Sequence, residues 1–301
     1  MCTVSPVGES PVSRIVYVNG QFLPRAHASV SIEDRGYQFS DGVYEVCLFL
    51  NGKPLDFHPH MDRLDRSLAA LSINPPMGRE AFKVVMDQMM RRNRLRDATI
   101  YLQITRGVAR RDHAFPAFPP APAIVMVAQR FDVAALREKQ KTGVAVISTP
   151  DLRWKRCDIK TVSLLGNVLA KQAAREAGAL EGWMVDAQGF VTEGSSSTAW
   201  IVDQQGRLRT RRLAKDILPG ITRHVVGDIA ANAQIAPVEE PFTIAEAQSA
   251  KEAFIASTTS SVTPVTQIDG VPVGDGTPGP VTRDLIDRHW RHVLRETGYR
   301  L

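Results

Sequence analysis

Two short segments of the sequence carry side chains that could do chemistry. Residues 158–167 place Lys160 among small and apolar residues, and residues 192–197 place Glu193 before a glycine and three serines. An amine that is partly removed from water loses proton affinity and becomes nucleophilic near neutral pH, so Lys160 is a candidate for Schiff-base formation. The hydroxyls and backbone N–H groups beside Glu193 could hold an anion or a ring system.

Both side chains also have ordinary interpretations. Most lysines are solvated surface charges, and Glu193 could be a surface carboxylate that caps the turn formed by Gly194 and the serines. The functional alternative for Glu193 is a carboxylate hydrogen-bonded to a protonated pyridine nitrogen, which lets the ring withdraw electrons. Apolar neighbours such as Val162 and Leu164 favour a functional Lys160, because an amine in an apolar segment needs a partner or a purpose.

Three further pieces of the sequence suit a phosphate group. They are residues 218–222 (Leu-Pro-Gly-Ile-Thr) at a predicted helix start, residues 257–259 (Ser-Thr-Thr) after a predicted strand, and Arg63 on a predicted helix. Backbone N–H groups at a helix N-terminus, hydroxyls and one guanidinium together match a dianion. Each piece is weak alone, because Gly220 could be a loop glycine and Arg63 a surface charge paired with an aspartate of the same helix.

A charged loop offers a place for a carboxylate. Arg111 and His113 stand two positions apart within residues 106–116, which are too charged to lie in a core. Together with the hydroxyl of Tyr44, an arginine and a histidine at this spacing could bind the carboxylate of a substrate. The same loop could also be no more than a polar loop tip.

Composition and charge narrow the classes of function. The 301-residue chain has a net charge of +5 and a pI near 9.2, and its basic residues are spread along the sequence, which argues against nucleic-acid binding. Three widely spaced cysteines favour neither a disulfide framework nor a metal site and indicate the cytoplasm. No apolar stretch approaches the roughly 20 residues of a membrane span. The N-terminus also lacks the pattern of a signal peptide.

Length and patterning predict a two-domain protein of the α+β class. We expect a flexible tail at residues 1–14 and a small α/β domain at 15–131. A linker is expected at 132–142, where the sequence turns polar and charged, and a larger domain at 143–301.

Hydrophobic periodicity and turn residues predict the elements of both domains. Asn-Gly pairs at 19–20 and 51–52, between alternating apolar residues, predict two hairpins. Thr243 and Glu246 predict a capping box at a helix start. The remaining predictions are helices at 60–73, 79–95, 167–177 and 281–296, a helix beginning near 220, and strands at 99–105, 123–128, 144–148 and 253–256.

Four segments resemble one enzyme family, and the resemblance extends over about residues 15–297. EDRGYQFSDGVYE (33–45), HMDRL (60–64), RWKRCDIK (153–160) and TEGSSS (192–197) resemble the D-amino acid aminotransferases. These belong to the class IV, fold-type-IV enzymes that use pyridoxal 5′-phosphate. The resemblance implies a smaller N-terminal α/β domain and a larger C-terminal domain with a mixed, barrel-like β core.

The resemblance also implies a role for each candidate residue. Lys160 would form the internal aldimine with pyridoxal 5′-phosphate and then shuttle a proton at the substrate Cα, while Glu193 would pair with the pyridine nitrogen. The carboxylate trap would consist of Tyr44, with Arg111 and His113 delivered by the other subunit of a homodimer. Further cofactor contacts would come from Arg63, Ser196, Leu218, Ile221, Thr222 and Thr258.

The expected activity is a ping-pong transfer of the amino group from D-alanine or D-glutamate to 2-oxoglutarate or pyruvate. Rivals with the same fold are an aminodeoxychorismate lyase, a branched-chain L-amino acid transaminase and an (R)-amine transaminase, and a non-catalytic carrier of the cofactor is the alternative outside the enzymes. By resemblance, the branched-chain enzymes usually carry a tyrosine five residues after the lysine, where Leu165 stands here. The additional Arg110 could be a surface charge or could compete with Arg111 for the carboxylate.

Overall fold

A computed structural model of the protein describes residues 14–301. Backbone contacts divide the chain into two compact units, the first extending to Asp132 and the second from Val133 to Arg300. Of the tail expected at residues 1–14, residues 1–13 lie outside the described part of the chain.

The first unit contains a six-stranded antiparallel sheet in the order β2-β1-β6-β5-β3-β4. Both predicted hairpins are confirmed, because Asn19 and Gly20 have φ of 46° and 91°, and Asn51 and Gly52 have φ of 53° and 72°. Positive φ at both central residues is what a tight primed turn requires. The strands are β1 (Ile15–Val18), β2 (Gln21–Pro24), β3 (Gly42–Leu50), β4 (Lys53–Pro54), β5 (Ala98–Thr105) and β6 (Ala123–Arg130).

Three α-helices accompany this sheet: α1 (Arg35–Phe39), α2 (Phe57–Ala70) and α3 (Arg79–Asn93). The two long helices are confirmed, and their predicted apolar faces are buried through residues such as Leu64 and Phe82. Helix α2 begins three residues before the predicted start. Pro59 falls within its first turn, where an absent N–H donor breaks no hydrogen bond.

The second unit contains a nine-stranded mixed sheet in the order β12-β11-β10-β13-β14-β7-β8-β9, with β15 paired to β14. The pairs β14–β7, β7–β8 and β11–β12 are parallel, and the others are antiparallel. The α+β class is therefore confirmed. The strands are β7 (Val144–Pro150), β8 (Glu181–Val185), β9 (Val191–Gly194), β10 (Thr198–Val202), β11 (Leu208–Thr210), β12 (Val238–Glu239), β13 (Glu252–Ser257), β14 (Ser261–Ile268) and β15 (Val271–Pro272).

The helices of the second unit are α4 (Val133–Thr142), α5 (Leu165–Glu176), α6 (Ile221–Asn232), α7 (Ile244–Gln248) and α8 (Pro280–Thr297). The predicted capping box is confirmed at the start of α7. Residues 133–142, most of the segment expected to be a linker, form α4. A buried polar residue, Gln140, attaches this helix to the rest of the unit. Its side chain donates to the carbonyl of Val262 at 2.9 Å and accepts from the indole N–H of Trp290 at 2.9 Å.

Two observations bear on the expected cellular setting. Cys47 and Cys157 are buried, whereas Cys2 lies outside the described residues. Within residues 14–301, no helix combines the length and the apolar character needed to cross a membrane.

Candidate active site

Glu193 lies on β9 and is held by an arginine that the sequence patterns did not single out. Its carboxylate accepts a hydrogen bond from Nη1 of Arg153 and two bonds of 3.2 Å from the backbone N–H of Leu218. Arg153 is buried and is itself fixed by Asp151, with Nε–Oδ1 and Nη2–Oδ2 distances of 2.9 and 2.7 Å. Two of the predicted cofactor residues, Glu193 and Leu218, therefore lie together.

The charge of Glu193 can change near neutral pH. Burial raises the pKa of its carboxyl to about 7, although the guanidinium of Arg153 and the N–H of Leu218 favour the ionised form. Burial also opposes the charge of Arg153, but Asp151 and Glu193 outweigh it and raise the pKa of Arg153 above its usual value. Arg153 is thus a permanent cation beside the titratable carboxyl of Glu193. Such a carboxyl group can pair with a protonated ring nitrogen.

Lys160 lies in a segment outside the helices and strands, between two buried residues. Ile159 and Thr161 are both buried, whereas Lys160 is half-buried. The apolar residues that follow it contribute little cover, because helix α5 turns them outward; Leu165, Val168 and Leu169 are 72, 56 and 53% exposed. Lys160 is therefore partly buried as expected, although these apolar residues of α5 face outward.

The three serines after Glu193 converge on a second buried carboxylate, that of Glu181 on β8. The hydroxyls of Ser196 and Ser197 donate to Oε2 at 2.8 and 3.1 Å, and the hydroxyl of Ser195 donates to Oε1. Gly194 allows this close approach, because a Cβ there would lie 2.4 Å from Oγ of Ser197. The hydroxyl of Ser196 is thus directed to Glu181, and its contact with a cofactor stays a prediction.

The start of helix α6 presents backbone N–H groups, as a phosphate site needs. Gly220 is the N-cap and provides no side-chain cap for the first turn, which begins with Ile221 and Thr222. A Cβ on Gly220 would lie 3.2 Å from Oγ1 of Thr198, and Thr198 pairs in register with β13, the strand that ends just before Thr258. The predicted phosphate ligands of the second unit therefore collect at one end of its sheet.

Arg63 lies on α2 and is buried against a carboxylate of the neighbouring strand. Its Nε donates to Oε1 of Glu45 at 2.7 Å and its Nη2 donates to Oε2 at 2.8 Å, while Nδ1 of His60 lies 2.8 Å from Oε2. The alternative in which Arg63 pairs with an aspartate of its own helix is wrong, since those aspartates pair with Arg79.

The Glu45–Arg63 pair fixes the direction of the guanidinium. Burial opposes ionisation of Glu45, but the attraction and hydrogen bonds of Arg63 outweigh it and hold the pKa of this carboxyl far below its usual range. Because Nε and Nη2 are bound to one carboxylate, the planar fork of Arg63 has little freedom to rotate.

Tyr44 precedes Glu45 on β3 and therefore points to the opposite face of the sheet. Its ring stacks on Tyr101 of β5, with the ring centres 5.6 Å apart. Burial raises the pKa of Tyr101 to about 12, and its hydroxyl donates to Gln103 at 2.7 Å. Tyr44 is nevertheless one of the groups that raise the pKa of Arg63, so these two predicted ligands lie within electrostatic range of each other.

Arg111 and His113 lie in an exposed loop and meet at one aromatic ring. The guanidinium of Arg111 lies 5.0 Å from the ring centre of Phe39, and the imidazole of His113 lies 5.3 Å from the same centre. Both predicted carboxylate ligands therefore belong to one patch of the loop surface.

The sequence patterns missed the residues that orient these candidates. Glu45 holds Arg63, Arg153 holds Glu193, and Glu181 gathers the serines. Each pair is distant along the chain, and spacing rules detect only near neighbours. The available signal was a charged residue within an otherwise apolar strand, as Glu45 is in β3.

Comparison with known proteins identifies the family of this chain. Residues 42–268 match the family model of the amino-transferase class IV. The chain is 39% identical over 284 residues to the D-alanine aminotransferase of Listeria innocua, covering 94% of this chain and 97% of the relative.

Solved structures share the fold. The branched-chain amino acid aminotransferase of Escherichia coli superposes with a TM-score of 0.84 at 23% identity, covering 91% of this chain and 93% of that one. A hypothetical aminotransferase from Mycobacterium tuberculosis, solved in its PLP-bound form, gives a TM-score of 0.79 at 19% identity over 93% and 99% of the two chains. The fold-type-IV architecture implied by the sequence is thereby confirmed.

The side chains present fit pyridoxal 5′-phosphate, the cofactor of this family. Within the second unit, Lys160 offers an amine for the aldehyde, Glu193 an acceptor for the ring nitrogen, and the α6 N-terminus donors for the phosphate. With the family match covering most of the chain, the protein belongs to the class IV aminotransferases and is a pyridoxal-phosphate-dependent enzyme that acts on amino acids and 2-oxo acids.

Proposed function

We propose that this enzyme is a D-amino acid transaminase. The observation that carries the proposal is the exposed loop on which Arg111 and His113 share the ring of Phe39. A guanidinium and an imidazole at one place match a substrate that bears a carboxylate. The D-alanine aminotransferase name of the curated relatives supports the same substrate class.

Three side chains of this chain have separate roles in the proposed reaction. When bound, pyridoxal 5′-phosphate supplies a ring that withdraws electrons from the substrate Cα. Lys160 would hold the cofactor through its Nζ, and its free amine would take the proton from the substrate Cα as a general base. Glu193 keeps the ring nitrogen protonated, and Arg153 keeps Glu193 in place. A D-amino acid such as D-alanine or D-glutamate gives up its amine first, and 2-oxoglutarate or pyruvate then accepts it.

Anchoring of the cofactor is divided between backbone and side-chain donors. The first N–H groups of α6, at Ile221 and Thr222, and the hydroxyl of Thr258 bind the phosphate. The cofactor contact that the resemblance implies for Arg63 stays a prediction. Leu218 contacts the ring, and Ser196 stays close to the cofactor through the Glu181 cluster.

A homodimer completes this proposal. Large apolar side chains are exposed on both units, with Ile32, Tyr37 and Phe118 at 78, 74 and 90% and Leu165 at 72%. An interface between chains would remove such side chains from water. Arg111 and His113 of one chain would then serve the substrate bound by the other chain.

The test is a donor screen with matched D- and L-alanine and D- and L-glutamate, each with 2-oxoglutarate or pyruvate as acceptor. We expect turnover of the D-series, and faster turnover of the L-series would contradict the proposal. Arg111→Ala should raise KM for D-amino acids and leave turnover of carboxylate-free (R)-amines unchanged. Arg110→Ala, which removes the adjacent exposed guanidinium, is the matched control.

A further inference from the structure

The loop of residues 106–116 is tied at its base to the segment around α1. The backbone N–H of Arg35 donates to the carbonyl of Gly107 at 3.0 Å, and that of Ala109 donates to the carbonyl of Glu33 at 3.3 Å. Gly107 has φ of +96°, and a Cβ there would lie 2.1 Å from the carbonyl oxygen of Ala121. The base of the loop therefore has one defined backbone path.

The backbone at the tip of the loop is held by the side chain of Arg35. Its Nη1 donates to the backbone carbonyl of Asp112 at 2.6 Å, and its Nη2 donates to the carbonyl of His113 at 3.4 Å. These two carbonyls belong to the peptide groups that directly follow Asp112 and His113, within the Arg-Asp-His motif. Arg35 itself is buried, at 2% exposure, while the loop residues that it holds are exposed.

Arg35 is fixed at its other end by Asp41. Its Nε donates to Oδ2 of Asp41 at 2.8 Å, and Arg106 binds both oxygens of the same carboxylate at 2.7 and 3.0 Å. Burial opposes ionisation of Asp41, but the bonds from Arg106 and Arg35 outweigh it and lower the pKa of this carboxyl. The guanidinium of Arg35 therefore spans from a fixed anion to the loop tip.

The opposite end of α1 supplies the surface on which the loop side chains rest. The ring of Phe39 lies under Arg35 at 4.8 Å and under Arg111 at 5.0 Å, and faces His113 at 5.3 Å. Helix α1, five residues long, thus contacts both the backbone and the side chains of the motif. Its first and last residues set where Arg111 and His113 lie.

We propose that Arg35 is a positioning residue for substrate specificity, which fixes the Arg111–His113 pair by holding the peptide groups of the loop tip. The inference rests on the proposed function, in which this pair binds the substrate carboxylate. A bidentate contact between guanidinium and carboxylate depends on both position and orientation. Loss of the two bonds to the loop tip would let the pair move relative to a bound substrate without removing either side chain.

Removal of Arg35 should leave the first unit able to fold. Asp41 keeps both of its bonds to Arg106, so no buried anion is left unpaired. The carbonyls of Asp112 and His113 belong to exposed residues and can bind water instead. Arg35→Met is therefore the informative variant, with Arg35→Lys as the conservative one, since lysine retains the charge but not the fork.

The experiment measures kcat and KM of the holoenzyme for D-alanine and for a carboxylate-free (R)-amine. Arg35→Met is expected to raise KM for D-alanine about 10- to 100-fold, the range for an ångström-scale misplacement of a binding group, with kinetics on the amine unchanged. Arg35→Lys should recover part of the loss. The matched control is Arg79→Met, which removes an arginine that pairs two carboxylates at the surface of the same unit.

Hydrogen exchange of the holoenzyme supplies a readout independent of turnover. Amides of residues 106–116 should exchange faster in Arg35→Met, while those of α3 keep their rate. Unchanged exchange in the loop, or an equal loss on D-alanine and on the amine, would overturn the inference.

Arg111→Ala, measured in parallel, distinguishes failure of the positioning role of Arg35 from failure of the proposed function. If Arg111→Ala raises KM for D-alanine and Arg35→Met does not, the positioning role fails and the proposed function stands. If Arg111→Ala has no effect on D-amino acids, the proposed substrate class fails, and the role of Arg35 in specificity fails with it. Loop exchange would then still show whether Arg35 holds the loop tip.

Discussion

Replacement of Glu45 by glutamine should destabilise the first unit strongly. Glu45 is fully buried, and its carboxylate binds Nε and Nη2 of Arg63 at 2.7 and 2.8 Å and approaches Nδ1 of His60 at 2.8 Å. Glutamine keeps the size of the side chain and one acceptor oxygen but removes the charge. The guanidinium of Arg63 would then remain in the interior and lose the carboxylate that it binds.

The size of the effect follows from this burial. Removing one partner of a buried ion pair costs about 3–5 kcal/mol, because the remaining charge stays desolvated. A loss of this size is large against a total stability of roughly 5–15 kcal/mol. The double variant Glu45→Gln/Arg63→Met removes the uncompensated charge and should be more stable than Glu45→Gln alone.

The effect should also depend on pH in one direction. The pKa of Glu45 is lowered in the folded protein from an ordinary value of 4.5. Its ion pair therefore stabilises the folded state above about that pH and less as the pH falls below it, because protonation then competes with Arg63. The difference between wild type and Glu45→Gln should shrink as the medium is acidified.

Urea unfolding of the cofactor-free protein, followed by circular dichroism, measures these differences. A loss of unfolding free energy below about 1 kcal/mol, the net contribution of an ordinary hydrogen bond, would refute the reasoning that Arg63 stays buried after it loses its carboxylate partner. A difference that grows on acidification would refute the charge assignment.

Two further predictions concern other parts of the chain. Arg153→Met should raise the pKa of Glu193 by about 1–3 units, the usual effect of losing an adjacent opposite charge. Because the protonated carboxyl no longer pairs with the ring nitrogen, cofactor affinity should fall on acidification, and this fall should begin at a higher pH than in wild type. Fluorescence titration with the cofactor across neutral pH measures this, and identical profiles would exclude the effect. Gly107→Ala should cost about 1–3 kcal/mol through strain at positive φ, besides the clash of its Cβ with the Ala121 carbonyl, whereas Gly78→Ala, where a Cβ meets open space, should not. Thermal unfolding of both variants measures the difference, and equal melting temperatures would contradict it.

Local sequence patterns predicted most of the elements because those elements depend on near neighbours. The Asn-Gly hairpins and the capping box at Thr243 are determined by residues within a few positions of each other. Helix α4 escaped prediction because its buried Gln140 is polar, and its partners, Val262 and Trp290, stand more than a hundred positions away.

The candidate site likewise contains residues that the sequence identified and residues that only the structure identified. Lys160, Glu193 and the Arg-x-His motif were identified by their own types and immediate neighbours. The partners that orient the candidates come from other elements: Glu45 binds Arg63 across 18 positions, and Arg35 binds the loop tip across 77. Only the fold brings such residues together, so a single sequence did not reveal them.

The register of β3 has a consequence for how this family can vary. Tyr44 and Glu45 are adjacent, and their side chains serve opposite faces of one sheet, with Tyr44 against Tyr101 and Glu45 against Arg63. Side chains alternate along a strand, so the gain or loss of one residue before Tyr44 within β3 would exchange the two faces. Insertions and deletions within residues 42–45 should therefore be far rarer among functional homologues than substitutions at the neighbouring Val46.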